Sequence, residues 1–146
     1  MNREHTRLSR LRRLERIRDI ARQAAAGEAA DAENALAKLR RISDRTRLLA
    51  EDYASPHGLD DGAALANFAG FSAQLATLSD RAVRDADAAQ VHADAKLAEL
   101  ACAERRRAAV GERADRQARL LAKPAYEAAS ASRRGLGTKL DTGPGL

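Results

Sequence analysis

The chain has 146 residues, of which 45% are hydrophobic, 3% aromatic and 32% charged. Much of the hydrophobic content is alanine, which buries little area, so the composition argues against a thick globular core and favours long helices. A single cysteine, Cys102, excludes an internal disulfide and fits a reducing cytosol. Because no stretch approaches the roughly 18 apolar residues of a membrane span, and no signal-peptide run follows the basic start, we expect a soluble cytoplasmic protein.

The first predicted element is a helix over residues 3–52. Its apolar residues recur every seven positions, which predicts a coiled-coil seam. The facing positions are assigned in pairs: Leu11/Leu14, Arg18/Ala21, Ala25/Glu28, Ala32/Ala35, Leu39/Ile42 and Thr46/Leu49, with Ile17, Ala29 and Leu36 widening the stripe. Gly27 lies in the middle of this helix, where it either lets the partner helix approach closely or adds flexibility.

The predicted helix ends in a loop over residues 53–62. Pro56 lacks a backbone donor and cannot continue a helix, and Gly58 can take a positive φ without steric cost. Asp60 or Asp61 can cap a new helix that starts near Ala63. A short break between two apolar-striped helices predicts that the chain turns back on itself.

The second predicted helix covers residues 63–123. Most steps along its stripe are three or four residues, but two pairs of successive four-residue steps near Ala82–Leu97 predict a local drift toward an eleven-residue repeat. The stripe consists of Phe68, Phe71, Leu75, Leu78, Ala82, Ala86, Ala89, Ala93, Leu97, Leu100, Ala103, Val110, Ala114, Ala118 and Leu121.

Folding the chain at about residue 57 places small residues opposite small residues in the middle of the seam. The predicted pairs are Leu39 with Leu75, Ala32 with Ala82, Ala25 with Ala89, and Leu14 with Leu100. The second helix then overhangs the first by up to roughly 20 residues, given the equal rise of both helices.

Lys123 and Pro124 predict a break in that overhang, with a short helix over 125–133. The glycine-rich residues 135–146 read as a disordered tail after a helical domain over 1–134. The sequence therefore predicts an all-α fold: a long antiparallel two-helix coiled-coil hairpin with a C-terminal overhang and a disordered tail.

Charge is distributed unevenly along the chain. Residues 1–50 carry 13 basic and 7 acidic side chains, residues 51–100 carry 3 and 9, and residues 101–146 carry 10 and 5. In a hairpin both basic segments lie at the terminal end, and the loop half is acidic. With a pI of about 10.0, this pattern indicates acidic partners at the terminal end and different partners at the loop end.

The residues that usually carry catalysis or bind metals are scattered. His5, His57 and His92 have no ligand spacing, and Cys102 has no second cysteine nearby. The sequence also contains no glycine-rich phosphate loop. We therefore expect no catalytic residues, no metal, no cofactor and no small-molecule substrate, and we expect His92 to be a solvated helix residue.

Arginines cluster in both terminal segments, notably at Arg12, Arg13, Arg16, Arg18, Arg105, Arg106 and Arg107. They are either a solvated helix surface or a surface that docks onto an acidic protein or nucleic acid. Aromatic side chains are not interleaved with them and lysine is scarce, which makes nucleic acid the less favoured partner.

Three of the four aromatic residues, Tyr53, Phe68 and Phe71, lie around the loop. They either staple the end of the hairpin by packing on Leu48, Leu49 and Leu65, or they form a surface for a partner. Each helix of a two-helix coiled coil buries only one apolar stripe. The large apolar residues near the loop are more than that stripe needs: Leu48, Tyr53, Phe68, Phe71, Leu75 and Leu78. Part of this group should therefore stay exposed.

These features resemble the FliJ family of flagellar type III export proteins. The resemblance rests on the length, on residues 48–53 (LLAEDY) before a short Pro/Gly loop, on residues 65–75 (LANFAGFSAQL) after it, and on residues 104–107 (ERRR). It covers roughly residues 5–125, and the stretch 48–78 is its most specific part. The Pro124 break and the glycine-rich tail depart from the continuing charged helix of many members.

The resemblance implies a non-enzymatic stalk, cytoplasmic and peripheral to the inner membrane at the flagellar base. Its implied partners are the hexameric flagellar export ATPase, the membrane export gate protein and export chaperones. The ATPase surface would be formed by Arg10, Arg12, Arg13, Arg105, Arg106 and Arg107, and the gate surface by Tyr53, Phe68, Phe71, Leu75 and Leu78. The alternatives are a basic coiled coil associated with nucleic acid and a self-assembling structural coiled coil.

Overall fold

The computed structural model describes residues 2–55, 58 and 61–139, with side chains through residue 134. These residues contain two helices, α1 (Asn2–Asp52) and α2 (Gly62–Lys139), and no strand. The chain divides into two compact units. We call Met1–Arg22 with Ala103–Leu146 the terminal unit, and Gln23–Cys102 the loop unit.

In each unit α1 and α2 run antiparallel. In the terminal unit Arg12 pairs with Asp115, and Asp19, further along α1, pairs with the earlier residue Arg107. In the loop unit, Glu28 of α1 contacts Lys96, and Tyr53 contacts Phe71. These contacts confirm the predicted all-α fold, an antiparallel two-helix coiled-coil hairpin. No stretch of the described helical residues is both long and apolar enough to cross a membrane.

The start of α2 is capped as predicted. The Asp61 carboxylate accepts a hydrogen bond from the Ala63 amide at 3.2 Å, and its carbonyl accepts one from Leu65 at 2.9 Å. Gly58 adopts a φ of 74°, the left-handed conformation expected of it. Pro56, His57 and Asp60 lie outside the described residues, so the capping role falls to Asp61 among the residues that are described.

The seam of α1 follows a seven-residue repeat whose positions we label a to g, with a and d facing the partner helix. The first residue of each predicted pair is correctly placed and occupies position d: Leu11, Arg18, Ala25, Ala32, Leu39 and Thr46 are buried or half-buried. The second residue of each pair is wrongly placed. Position a is held by Leu8, Glu15, Arg22, Ala29, Leu36, Ser43 and Ala50, whereas Leu14, Ala21, Glu28, Ala35, Ile42 and Leu49 are exposed at position g.

The error has a physical source. A seven-residue repeat places neighbours at both three and four residues from a d position, and both lie near the partner helix. The larger apolar residue of each pair is not always the buried one, because polar residues such as Glu15 and Arg22 pack their stems in the seam while their charged ends reach water. Partner packing therefore decides between the two positions.

The seam of α2 keeps the same strict period. In the loop unit it consists of Phe68, Ser72, Leu75, Ser79, Ala82, Ala86, Ala89, Ala93, Lys96 and Leu100, and in the terminal unit of Ala103, Arg107, Val110, Ala114, Gln117 and Leu121. These residues alternate between position d, beginning with Phe68, and position a, beginning with Ser72. Phe71, Leu78 and Leu97, which the sequence stripe included, are 47%, 50% and 41% exposed. The predicted drift to an eleven-residue repeat does not occur, because Ser79 rather than Leu78, and Lys96 rather than Leu97, take the seam positions.

The register between the helices in the loop unit differs from the predicted one. Ala32 and Leu36 cluster with Ala93 and with the half-buried Ala89, so Ala32 lies three helical turns from its predicted partner Ala82. The predicted pairs of Leu39 with Leu75 and of Ala25 with Ala89 are displaced in the same way. The expectation that small residues meet in the middle of the seam is confirmed by the alanines of this cluster.

Folding about the middle of the loop assumed that both helices end at the same level. Tyr53, at the end of α1, instead contacts Phe68 and Phe71, so the first turns of α2 lie past the end of α1. The fourth predicted pair also fails, because Leu14 lies on an exposed face.

Gly111, and not Gly27, lies against a side chain of the partner helix. A Cβ added at Gly111 would lie 3.1 Å from Glu15 Oε1, whereas one added at Gly27 would meet no atom within 4 Å. Gly27 is exposed and faces away from the seam. Its cost to the helix is therefore not compensated by tighter packing.

Beyond the last seam residue, Leu121, α2 continues as the predicted overhang. The helix runs through Pro124 to Lys139, in place of the predicted break and the short helix over 125–133. Pro124 removes the hydrogen bond to the Leu120 carbonyl, but alanine, lysine and glutamate around it are strong helix formers. Of the predicted disordered tail, residues 135–139 belong to α2, and residues 140–146 lie outside the described residues.

Candidate interaction surfaces

The two units differ strongly in charge. The terminal unit carries 18 basic and 8 acidic side chains, a net charge of +10, and the loop unit carries 8 and 13, a net charge of −5. The segregation read from the sequence therefore coincides with the division of the fold. A charge of this size in one small unit attracts anionic partners over about a Debye length, 8–10 Å at physiological salt.

Arg12 is committed to holding the terminal unit together. Its Nη1 donates to Glu15 Oε2 at 2.9 Å and its Nη2 donates to Asp115 Oδ1 at 3.0 Å on the other helix. The hydrogen bond to Glu15, followed by the one to Asp115, raises the pKa of Arg12 above its ordinary value. Arg12 therefore connects the two helices, and its guanidinium group is already paired with two carboxylates.

Arg107 has a similar role. It occupies seam position a of α2, and its Nε lies 3.4 Å from Asp19 Oδ1 across the interface. The same carboxylate oxygen accepts a hydrogen bond from Arg22 Nε at 3.1 Å. Two of the six arginines predicted to bind a partner therefore lie in the helix–helix interface.

The other four, Arg10, Arg13, Arg105 and Arg106, are exposed. In the part of the chain that the structure describes, none of them forms an ion pair. Arg10 lines a shallow groove with Asn2, Arg3 and Thr6. These four side chains remain available for an anionic surface.

A second cationic groove was missed by the sequence reasoning. Both helices contribute to it: Arg7 from α1, and Arg113 and Arg116 from α2, with Leu11, Gln117 and Leu120 completing its lining. These three arginines are not adjacent in the sequence, so they do not stand out as a run of basic residues. Reading them by heptad position would have found this group, because Arg7 and Arg113 each directly precede a seam residue.

At the loop end, Tyr53 packs against both phenylalanines. Its ring centroid lies 5.9 Å from that of Phe68 in a tilted arrangement and 5.1 Å from that of Phe71 in an edge-to-face arrangement. Such pairs contribute roughly 0.5–1.5 kcal/mol beyond area burial. Tyr53 nevertheless remains 39% exposed. The aromatic residues therefore pack against one another at the end of the unit and remain partly exposed, which agrees with the expectation that part of this group faces solvent.

The predicted gate-binding residues separate into two classes. Leu75 is 9% exposed and belongs to the core, and Phe68 is half-buried in the seam. Phe71 and Leu78 are 47% and 50% exposed. Leu75 is thus unable to contact a partner directly in this conformation, and the accessible residues of the set are Tyr53, Phe71 and Leu78.

Two exposed apolar residues on α1 were not recognised as surface. Ile42 and Leu49, placed in the seam by the sequence reasoning, are 52% and 42% exposed. Ile42 lines a shallow groove with Lys38, Arg41 and Arg45. This basic stretch lies within the acidic loop unit and was concealed by counting charge over fixed fifty-residue segments.

A seam lysine links the helices in the loop unit. Lys96 Nζ donates to Glu28 Oε2 at 3.1 Å and to Glu99 Oε2 at 3.2 Å. The hydrogen bond to Glu28 has the larger effect, and together with the one to Glu99 it raises the pKa of Lys96. On the opposite side of the seam, Arg40 donates to Gln90.

Among the described residues, no group of His, Cys, Asp and Glu side chains is arranged to hold a metal ion. His92 is exposed, as expected, and Cys102 is half-buried beside the seam. No family model, no curated protein and no solved structure matches this chain.

Proposed function

We propose that this chain is a non-enzymatic coiled-coil stalk of a flagellar type III export apparatus, which couples the export ATPase ring to the membrane export gate and contacts export chaperones. One observation supports the proposal most directly: a strongly basic unit and a unit with exposed apolar residues are built from the same two antiparallel helices. The resemblance of residues 48–78 to the FliJ family supplies the identity of the partners.

The ATPase contact is assigned to the exposed arginines of the terminal unit. Arg10, Arg13, Arg105 and Arg106 carry it, with the groove arginines Arg7, Arg113 and Arg116 added to the surface. Arg12 and Arg107 support it indirectly, since their ion pairs with Asp115 and Asp19 hold the two helices together. Contacts of this kind weaken with added salt.

The gate contact is assigned to Tyr53, Phe71 and Leu78, whose side chains are partly exposed and apolar. Phe68 and Leu75 support these residues from the seam. In this proposal the chain works in the cytoplasm, peripheral to the inner membrane at the flagellar base.

A second candidate function is binding of nucleic acid, because the net charge of +10 in the terminal unit would also attract a phosphate backbone. A self-assembling structural coiled coil is the remaining alternative. Sedimentation separates it from a monomeric stalk by mass.

The test is a pull-down of the cognate export ATPase at two salt concentrations, with DNA as competitor. The variant carries Arg10→Glu, Arg13→Glu, Arg105→Glu and Arg106→Glu. The matched control reverses four charges of the loop unit, Arg41, Arg45, Arg81 and Arg84, to glutamate. We expect salt-sensitive, DNA-resistant binding that falls at least about tenfold, or about 1.4 kcal/mol, in the first variant and little in the control.

Tight DNA binding without ATPase binding would reject the stalk and favour the nucleic-acid function. Equal loss in both variants would show that net charge alone, and not the terminal unit, directs binding.

A further inference from the structure

Four exposed apolar residues of the loop unit lie on one side of its helix pair. Ile42, Leu49 and Glu28 occupy position g of α1, and Phe71, Leu78 and Glu99 occupy position g of α2. Lys96 Nζ contacts the carboxylates of Glu28 and Glu99 together, which shows that the two g positions share a side of the seam. The opposite side carries the Arg40–Gln90 hydrogen bond and two exposed apolar residues of α2, Val83 and Leu97.

On the shared side, four large apolar side chains alternate between the helices. Tyr53 faces Phe71, so Leu49 lies level with about residue 75 and Ile42 level with about residue 82. The order along the axis is therefore Phe71, Leu49, Leu78, Ile42, with steps of about four, three and four residues. We call these four residues the apolar strip. Its length is roughly 16 Å at 1.5 Å per residue.

The spacing of the strip matches the apolar face of one added helix. Steps of four, three and four residues are the i, i+4, i+7 and i+11 positions of an amphipathic helix. All four side chains are between 42% and 52% exposed, so each still has area to bury. A partner helix laid along the strip would meet one apolar side chain per turn.

Positively charged residues lie at the Ile42 end of the strip. Ile42 lines a shallow groove together with three cationic residues, Lys38, Arg41 and Arg45. In the described part of the chain, none of these three cations forms an ion pair. An occupant with carboxylates beside its last apolar residue would be attracted to this end.

We infer that the apolar strip binds a single amphipathic helix whose acidic side chains lie beside Ile42. The inference rests on the proposed function in that both use the loop-end surface. It differs in three respects: the surface includes residues of α1, it excludes Leu75, and the chemistry of the partner is specified. The bound helix would be a third helix packed on the pair.

The probe is a fluorescein-labelled 18-residue peptide with leucines at i, i+4, i+7 and i+11, glutamates around the last leucine, and alanine and glutamine elsewhere. A second peptide carries lysine in place of each glutamate. Binding to the full-length protein is measured by fluorescence anisotropy. We expect the glutamate peptide to bind at least about tenfold more tightly than the lysine peptide at low salt.

Three protein variants make the test specific. Ile42→Ser with Leu49→Ser should weaken the glutamate peptide at least about tenfold, and Lys38→Gln, Arg41→Gln and Arg45→Gln together should remove its advantage over the lysine peptide. Val91→Ser is the control, because Val91 is 70% exposed, lies in the same unit and is off the strip. Circular dichroism checks that each variant keeps its helical content.

Equal binding of both peptides, no binding, or insensitivity to Ile42→Ser with Leu49→Ser would overturn the inference. So would sedimentation that shows the strip occupied by a second copy of the chain and released as monomer by the same two substitutions.

A pull-down of the cognate gate protein separates this inference from the proposed function. If the glutamate peptide binds the strip and the gate protein does not bind, the stalk function fails and the inference stands. If the gate protein binds and is insensitive to Ile42→Ser with Leu49→Ser, while the peptide does not bind, the inference fails and the stalk function stands.

Discussion

At the scale of single residues, the two leucines Leu75 and Leu78 of α2 show how the seam divides roles. They lie three residues apart, so their side chains point about 60° apart around the helix. That difference places Leu75 against α1 and Leu78 on the apolar strip. Similar residues in one short segment therefore have different environments: one contributes to stability, and the other is exposed and contributes to recognition only in the interactions proposed above.

Leu75→Ala should lower the free energy of unfolding by about 2–4 kcal/mol, because it leaves a cavity in the seam. Leu78→Ala should change it by about 0.5 kcal/mol or less, since the side chain is half exposed. Urea unfolding monitored at 222 nm measures both. Equal destabilisation by the two substitutions would contradict the seam described for the loop unit.

Lys96 is a seam residue whose effect on stability depends on pH. Its folded pKa is raised above the ordinary 10.5 by Glu28 and Glu99. The protonated form is favoured by folding, so its contribution is fully present below the unfolded pKa and is lost as the pH rises through the folded value. The loss therefore falls in the alkaline range, above about pH 10.

Lys96→Met removes this titration while keeping the length of the side chain. We expect the difference in urea midpoint between wild type and variant to shift against the wild type between about pH 8 and pH 11, whatever its value at neutral pH. Arg81→Met, an exposed change in the same unit, serves as the control. A pH-independent difference between wild type and Lys96→Met would show that the contacts to Glu28 and Glu99 do not favour the ammonium form.

At the scale of the elements, the two helices differ in what stabilises them. Most of α1 and the middle of α2 pack against each other, and tertiary packing supplies most of the stability of helices that do so. The overhang after Leu121 lacks this support, since residues 122–129 and 131–134 are exposed. Its stability depends on intrinsic propensity, which makes Pro124 its weakest point.

Pro124→Ala should strengthen the overhang, because alanine restores the hydrogen bond to the Leu120 carbonyl and is about 3 kcal/mol more favourable than proline in a helix interior. Amide hydrogen exchange across residues 121–134 should slow, with little change in exchange at the seam alanines. Ala125→Gly is the opposing control and should speed exchange in the same segment. Unchanged exchange in Pro124→Ala would indicate that the helix does not depend on this position.

At the scale of the whole molecule, each unit combines a seam with a surface of different chemistry. The terminal unit uses ion pairs among Arg12, Asp19, Arg107 and Asp115 in and beside its seam and carries a net charge of +10. The loop unit has an alanine- and leucine-rich seam and exposes the apolar strip. Recognition by these surfaces should respond differently to salt, because screening acts on charges and scarcely on apolar contacts.

The two contacts of the proposed stalk should therefore be separable. Phe71→Ser with Leu78→Ser should weaken binding of the gate protein at least about tenfold and leave ATPase binding unchanged, whereas reversal of Arg10, Arg13, Arg105 and Arg106 should do the opposite. Pull-downs of both partners at two salt concentrations measure this. A variant that loses both partners while keeping its helicity would argue against two independent surfaces.

Features that depend on local chemistry were accessible from the sequence. Pro56 and Gly58 located the break between the helices, Asp61 provided the cap, and the seven-residue period identified positions such as Ala32 and Leu39 as seam. The basic and acidic segments were equally visible, because charge is counted directly. Each of these follows from backbone conformation, hydrogen bonding or composition within a few residues.

The tertiary structure alone decided two things. It selected whether the residue three or four positions after each d residue faces the partner helix, and it set the register between the two helices. Positions three and four residues from Ala32 are equivalent within one helix, and only contact with Ala93 selects Leu36 over Ala35. The register likewise depends on aromatic packing of Tyr53 across the loop. Those choices placed Leu75 in the core and Ile42 and Leu49 on the surface, because burial against a partner helix is a property of the pair and not of either helix.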